Sequence, residues 1–207
     1  MVIYNVQSNG PCNQLVIELI DDTVYVEANL IAYISGEINL ETKNNQDDKS
    51  MFIGKEYFKP KFEGTGKIYL HATLGSYHKF ALKEKEELVL GPYAFVACRE
   101  SIQIIPKLTI SLRKFLSGMP MISLLAKGTG NVMVLMAGPV QEITLKDEKF
   151  MVFGSEVAAY SPQLRVTREI VGRNWAIGPK MARVFRGTGS VFFSPIPNKD
   201  ARLRISK

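Results

Sequence analysis

The chain has two histidines and two cysteines among its 207 residues: His71 and His78, seven positions apart, and Cys12 and Cys98. A site that gathers several imidazoles and a carboxylate from neighbouring strands needs more histidines than this to fill a metal's coordination sphere. No His-x-His or His-x-x-x-His spacing occurs. The set His71, His78, Cys98 and Glu100 is what remains for a metal-dependent enzyme, and only ligand identity supports it. Cys98 ends the apolar run Phe95-Val96-Ala97-Cys98 and reads as a small buried side chain, and no Gly-x-Ser-x-Gly turn offers a serine nucleophile. Glu84, Glu86 and Glu87 share a charged stretch with Lys83 and Lys85, which suits solvated side chains better than paired acid-base work. The expectation is a non-enzymatic protein with no catalytic residue, no cofactor and no metal, acting as a binding or scaffolding module.

Binding chemistry is better supplied, because the charge is divided unequally. Residues 1–103 carry 10 Lys and Arg against 14 Asp and Glu, and residues 104–207 carry 16 against 6. A basic half attracts an anionic membrane surface, RNA or an acidic partner, or it meets the acidic half of another copy. Two candidate surfaces follow. Met119, Met121, Leu124 and Leu125, with Met133 and Met136 further on, make a Met-rich apolar stretch suited to a lipid or protein partner. Arg173, Trp175, Arg183 and Arg186 interleave guanidinium groups with an aromatic, the combination that single-stranded RNA needs, and Tyr160, Phe185, Phe192 and Phe193 lie in the same stretch. Of Phe192 and Phe193, adjacent in a strand, one must face the core. Binding or scaffolding at an anionic membrane surface or in a homo-oligomer is the leading reading, and RNA binding through the basic C-terminal half is the alternative.

The elements that must position these residues repeat. Gly-Thr-Gly occurs at 64–66, 128–130 and 187–189, each time followed by an apolar-rich strand: Lys67–His71, Asn131–Leu135 and Ser190–Ser194. Leu19, Leu82 and Leu145 are spaced by 63 residues and lead through charged turns into Val24-Tyr25-Val26, Leu88-Val89-Leu90 and Met151-Val152-Phe153. A third strand then places Ala32, Ala97 and Ala159 in like positions. Self-similarity at a near-constant period marks a repeat architecture. The chain is expected to be all-β and one domain, with pseudo-repeats at about 1–62, 63–127 and 128–186 and a closing strand at 187–195. That last strand is expected to pair with the N-terminal strand Ile3–Val6, closing three units with pseudo-threefold symmetry, since open edges invite association. Gly64, Gly66, Gly128, Gly130, Gly187 and Gly189 are expected to serve the backbone where each strand begins after a turn. Their recurrence, without the Lys-Ser/Thr and helix of a phosphate loop, points to folding rather than phosphate binding. The polar stretch Glu41–Ser50 reads as a surface loop, and Met51–Phe62 as an edge strand with Pro60 on the outside.

Composition sets the remaining bounds. Hydrophobic residues make up 46% and charged residues 22%, as in ordinary globular proteins. The charge-free windows Phe115–Ala126 and Gly128–Gln141 are 12 and 14 residues long, short of the ~18 that a membrane-spanning helix needs. The N-terminal residues lack the pattern of a secretory signal, and two cysteines imply no disulfide framework, so a cytoplasmic location is expected.

Gly54-Lys55-Glu56-Tyr57-Phe58 followed by Phe62-Glu63-Gly64-Thr65-Gly66-Lys67-Ile68-Tyr69-Leu70 resembles a stretch typical of the mitochondrial-biogenesis family named for altered inheritance of mitochondria. Gly91–Ala97 resembles the family's Gly-x-x-x-Ala strand, and Arg186–Phe193 its closing Gly-x-Gly-x-Val strand. The chain departs from the pattern at Phe193-Ser194-Pro195 and at the Glu41–Ser50 loop. The resemblance covers essentially the whole chain and implies the uncharacterised prokaryotic branch. It also implies a fold like that of the trp RNA-binding attenuation protein, a double-stranded β-helix or β-sandwich assembly. It brings no catalytic residues, and it links eukaryotic members to mitochondrial inner-membrane organisation.

Overall fold

The computed structural model describes residues 1–41, 60–91, 94–108, 122–153, 155–171 and 180–197. Among these the chain is all-β, with a single 3-10 turn at Ala28–Leu30. The first strands are β1 (Val2–Asn9), β2 (Cys12–Val26), β3 (Ile31–Glu41) and β4 (Lys61–Leu70). The Gly-Thr-Gly strand β4 lies between β2 and β3. The next six strands repeat that arrangement in shorter pieces: β5 (Ser76–Leu82), β6 (Glu87–Leu90), β7 (Phe95–Arg99), β8 (Ile102–Leu108), β9 (Ile122–Gly128) and β10 (Gly130–Met136). Here β10 lies between β5 and β7, and β9 between β6 and β8. In the last set, β11 (Gln141–Phe153), β12 (Ser155–Tyr160), β13 (Arg165–Val171) and β14 (Lys180–Pro197), β14 has β11 on one side and β12 and β13 on the other.

The two sequence markers that recur in phase meet in space. Leu19, Leu82 and Leu145 stand opposite Gly66, Gly130 and Gly189. Beyond this point the register slips, between Leu19 and Asp22 and between Leu145 and Glu148, so the charged "turns" of the first and third sets are bulges inside continuous strands. Asp21 and Asp147 take left-handed backbone there, and their amides donate to the hydroxyls of Thr65 and Thr188 at 3.1 Å each. Only the second set breaks, at Lys83–Glu86 between β5 and β6. The glycines allow a close backbone crossing. At Gly64, with φ of 136°, a Cβ would stand 2.1 Å from the Glu37 carbonyl oxygen.

All pairings are antiparallel and assemble two seven-stranded sheets. One has the order β3-β4-β2-β7-β10-β5 with β1 on β2, and the other β11-β14-β12-β6-β9-β8 with β13 on β14. Strand alternation sends apolar side chains inward. Leu15, Ile17, Leu19, Val24 and Val26 are fully buried against Ile68, Leu70 and Val96, while Leu90, Ala126, Val132 and Ala159 belong to a second cluster and Phe185 and Val191 to a third.

Several expectations need correction. The C-terminal strand does not close on the N-terminal one: β14 pairs with β11, β12 and β13, and β1 pairs with β2. Boundaries at 62/63 and 186/187 fall inside β4 and β14, because the glycines lie at mid-strand crossings in the first and third sets. The Gly-Thr-Gly strand therefore ends each set and does not begin it. Pro60 is buried, with its carbonyl accepting from the Val26 amide. The rest of the expected Glu41–Ser50 loop and Met51–Phe62 strand lies outside the described residues up to Lys59, apart from Glu41, which ends β3.

Candidate functional site

The residues with catalytic or ligating potential are dispersed. His71 follows β4 and is exposed, whereas His78 on β5 is half-buried, edge-on to Phe80 at 4.6 Å, and burial holds its imidazole below the usual histidine range. Cys98 is fully buried. Glu100 is spent on Lys61 at 3.4 Å, and Glu87 on Lys127 at 3.1 Å. Glu86 accepts from the Lys83 amide at 2.9 Å, which fastens the turn between β5 and β6. Among the described residues no three His, Cys, Asp or Glu side chains are grouped to hold a metal.

The proposed apolar surface does not survive in its described part. Leu124 and Leu125 are 7% and 5% exposed, and Met133 and Met136 are also buried. They sit on β9 and β10, interior strands that carry apolar side chains on both faces, as a strand covered on both sides must. Met119 and Met121 lie outside the described residues, as do Arg173 and Trp175.

Arg183 and Arg186 are both on β14 but three residues apart, so they project from opposite faces and do not line one surface. Arg186 is neutralised: Glu169 accepts from it at 2.6 Å and meets Lys149 at 3.4 Å, and Arg186 also donates to the Thr167 hydroxyl at 3.2 Å. The hydrogen bond from Arg186, reinforced by Lys149, holds the Glu169 carboxyl below its ordinary range. Arg183 has a different setting. It stands in register with Arg168 of β13 on one side and Val152 of β11 on the other, on the face that carries Phe185. Like charges in directly opposite antiparallel positions repel. Burial, then the Arg168 guanidinium, push Arg183 below its usual range, while Tyr160 acts the other way. Arg183 remains a cation at neutral pH, because guanidinium does not give up its proton in proteins. Ile170, on the same face two residues beyond Arg168, is 60% exposed.

The aromatics that sequence spacing offered for base stacking are committed to packing. Phe185 is fully buried with Tyr160 edge-on at 5.5 Å. Phe192 and Phe193 are both half-buried on opposite faces, against Phe80 at 4.9 Å and Phe150 at 5.4 Å, so each serves a different core cluster. The exposed aromatic that sequence reasoning passed over is Tyr33, 55% exposed on β3 and stacked on Tyr69 at 4.3 Å. Phe153, at the end of β11, is 46% exposed. No helix among the described residues is long and apolar enough to cross a membrane.

These features define an all-β protein of two antiparallel sheets. The chain belongs to the family described as mitochondrial biogenesis AIM24, which matches residues 4–196. Seven chains of solved structures match it. One is protein SPYM3_0169 from Streptococcus pyogenes, a structural-genomics target, with a TM-score of 0.75 at 20% identity over 98% of this chain and 97% of that one. That likeness is one of fold. No curated protein matches.

Proposed function

We propose that this protein is a non-enzymatic binding module that engages an anionic membrane surface through the β13–β14 face. The observation that carries the reading is the in-register pair Arg168 and Arg183, with exposed Ile170 beside it on the same face. Two guanidinium groups in directly opposite positions concentrate positive charge on this face, and phosphate oxygens suit their planar donors. An adjoining apolar side chain adds contact with the acyl boundary of a bilayer. The composition agrees: from Phe153 onward the chain carries ten Lys and Arg against three Asp and Glu. An RNA reading is weaker, because Tyr160, Phe185, Phe192 and Phe193 are packed rather than free to stack on bases.

Cosedimentation with phosphatidylcholine vesicles, and with vesicles containing phosphatidylserine, across a salt series tests this. The expected result is pelleting with the anionic vesicles alone, weakening as salt rises, and lost in the Arg168→Gln, Arg183→Gln double variant. Unchanged pelleting of that variant overturns the assignment to this face. Absence of pelleting, with retention of single-stranded RNA instead, overturns the membrane reading altogether.

A further inference from the structure

The residue before each Gly-Thr-Gly triplet stands at the centre of a row of three side chains across three paired strands. In the first set, Glu63 of β4 has Thr23 of β2 on one side and Asn39 of β3 on the other. In the second, Lys127 of β9 stands between Glu87 of β6 and Gln103 of β8, and Glu87 meets its ammonium at 3.1 Å. In the third, Arg186 of β14 stands between Lys149 of β11 and Arg165 of β13. One carboxylate, one carboxylate against one ammonium, and three cations give these rows formal charges of −1, 0 and +3. Side chains directly opposite in antiparallel strands share a face, and like charges there repel. The fold fills this row twice without clustered cations, so the repulsion in the third set serves something other than strand pairing.

The third row already grips an oxyanion. Glu169, four residues from Arg165 on the same face of β13, sets one carboxylate oxygen on Arg186 at 2.6 Å and the other against Lys149 at 3.4 Å. The Thr167 hydroxyl, between them, accepts from Arg186 at 3.2 Å and donates to the Glu169 carboxylate at 3.3 Å. One carboxylate answers one of three positive charges, which leaves +2. Arg165 is exposed and makes no ionic contact among the described residues, so its fork of N–H donors is open to a ligand.

We propose that Arg165 and Arg186, supported by Lys149, bind a phosphomonoester, with Glu169 as the internal carboxylate that competes with it for Arg186. A monoester dianion matches the residual charge of +2, whereas a phosphodiester or a carboxylate brings a single negative charge. Guanidinium groups hold phosphate oxygens in pairs, which fixes orientation as well as charge. This site stands apart from the anionic-surface reading, since Arg165 and Arg186 are each three residues from Arg168 and Arg183 and project from the opposite face.

Equilibrium dialysis of glycerol 3-phosphate against the full chain tests this, at fixed ionic strength and at about pH 8, where the monoester is a dianion. Wild type is expected to bind it, and Arg165→Gln to weaken binding about tenfold or more. Glu169→Gln is expected to tighten binding severalfold, because the competing carboxylate is gone; an ion pair with only a structural role gives no such gain. The Arg168→Gln, Arg183→Gln double variant is expected to bind as wild type does. Arg165 is exposed, so its variant should melt as wild type does. Vesicles containing phosphatidic acid, offered to the double variant, identify the source of the phosphate. Pelleting that Arg165→Gln abolishes assigns a lipid headgroup, and no pelleting beside retained glycerol 3-phosphate binding assigns a soluble ester. Absence of binding in both wild type and Glu169→Gln, or equal affinity in wild type and Arg165→Gln, overturns the proposal.

Discussion

Strands β3 and β7 begin alike, Ile31-Ala32-Tyr33 in one and Val96-Ala97-Cys98 in the other, and end in opposite environments. β7 lies between β2 and β10 with Phe95 to Cys98 buried, and β3 pairs with β4 alone among the described residues. Residue type does not explain the difference, since Ala32 is exposed where Ala97 is fully buried. Position in the series does. The second and third sets each receive a strand end from the set before, β2 on β7 and β6 on β12, and β3 pairs with β4 alone among the described residues. Burial in this fold is a property of the junction and not of the strand.

The comparison can be broken most severely at the crossing that every set shares. Gly64→Ala drives a Cβ into the Glu37 carbonyl oxygen, which is backbone and cannot step aside, at a φ of 136° that L-residues resist. A loss of about 3 kcal/mol or more is expected in urea unfolding. At Gly187, with φ of 114°, a Cβ meets only the Leu164 side chain at 3.8 Å, so Gly187→Ala carries backbone strain alone and should cost about 1–2 kcal/mol. Equal losses at the two sites would show that the crossings are not tightest where the structure places them.

The next effect separates a fully buried strand end from an exposed one. Val26→Ala deletes two methyl groups from a fully buried position and should cost about 2 kcal/mol. Phe153→Ala removes a larger side chain from the corresponding position, but one that is 46% exposed, and it should cost less, no more than about 1 kcal/mol. Comparable losses would mean that the Phe153 side chain is as closely packed as that of Val26.

What the sequence disclosed, and what it did not, divides along these lines. Leu19, Leu82 and Leu145 and the glycine triplets were legible because a bulge facing a glycine is local chemistry, with residue types dictated by φ and by close approach. Which strands meet across the sets was not legible, since β2–β7 and β6–β12 contacts depend on three-dimensional placement rather than on nearby residues. The expectation that β14 closes on β1 failed for that reason. Leu124 and Leu125 were read as surface because they lie in a Met-rich stretch, although two adjacent apolar residues in a strand covered on both faces are both core. Arg183 and Arg186 could have been separated from their spacing alone, three residues in a strand being an odd step. The pairing of Arg183 with Arg168 needed the β13–β14 register, and the exposure of Tyr33 needed the absence of a neighbour, which no residue encodes.

The smallest effect belongs to the ion pairs that flank the β2–β7 junction. Asp22, just before Val24 on β2, contacts the N-terminal ammonium at 2.8 Å and Arg99 at the end of β7. Burial alone would raise its carboxyl, but the ammonium hydrogen bond, the Thr23 amide and Arg99 outweigh that and hold it below the ordinary value of 3.8. A carboxyl whose folded value is depressed binds protons more readily in the unfolded chain. Its contribution is therefore complete above about pH 3.8, and it falls away as pH drops through the lower folded value. Arg99 is 44% exposed, so solvent screens the pair and Asp22→Asn should cost no more than about 1 kcal/mol at neutral pH. The expected signature is in the shape of the curve: wild type and Asp22→Asn differ at pH 6 and converge at the acid end, as followed by urea midpoints. If the difference persists unchanged at the acid end, Asp22 acts through packing, and the β2–β7 junction is held by its apolar pairs without help from charge.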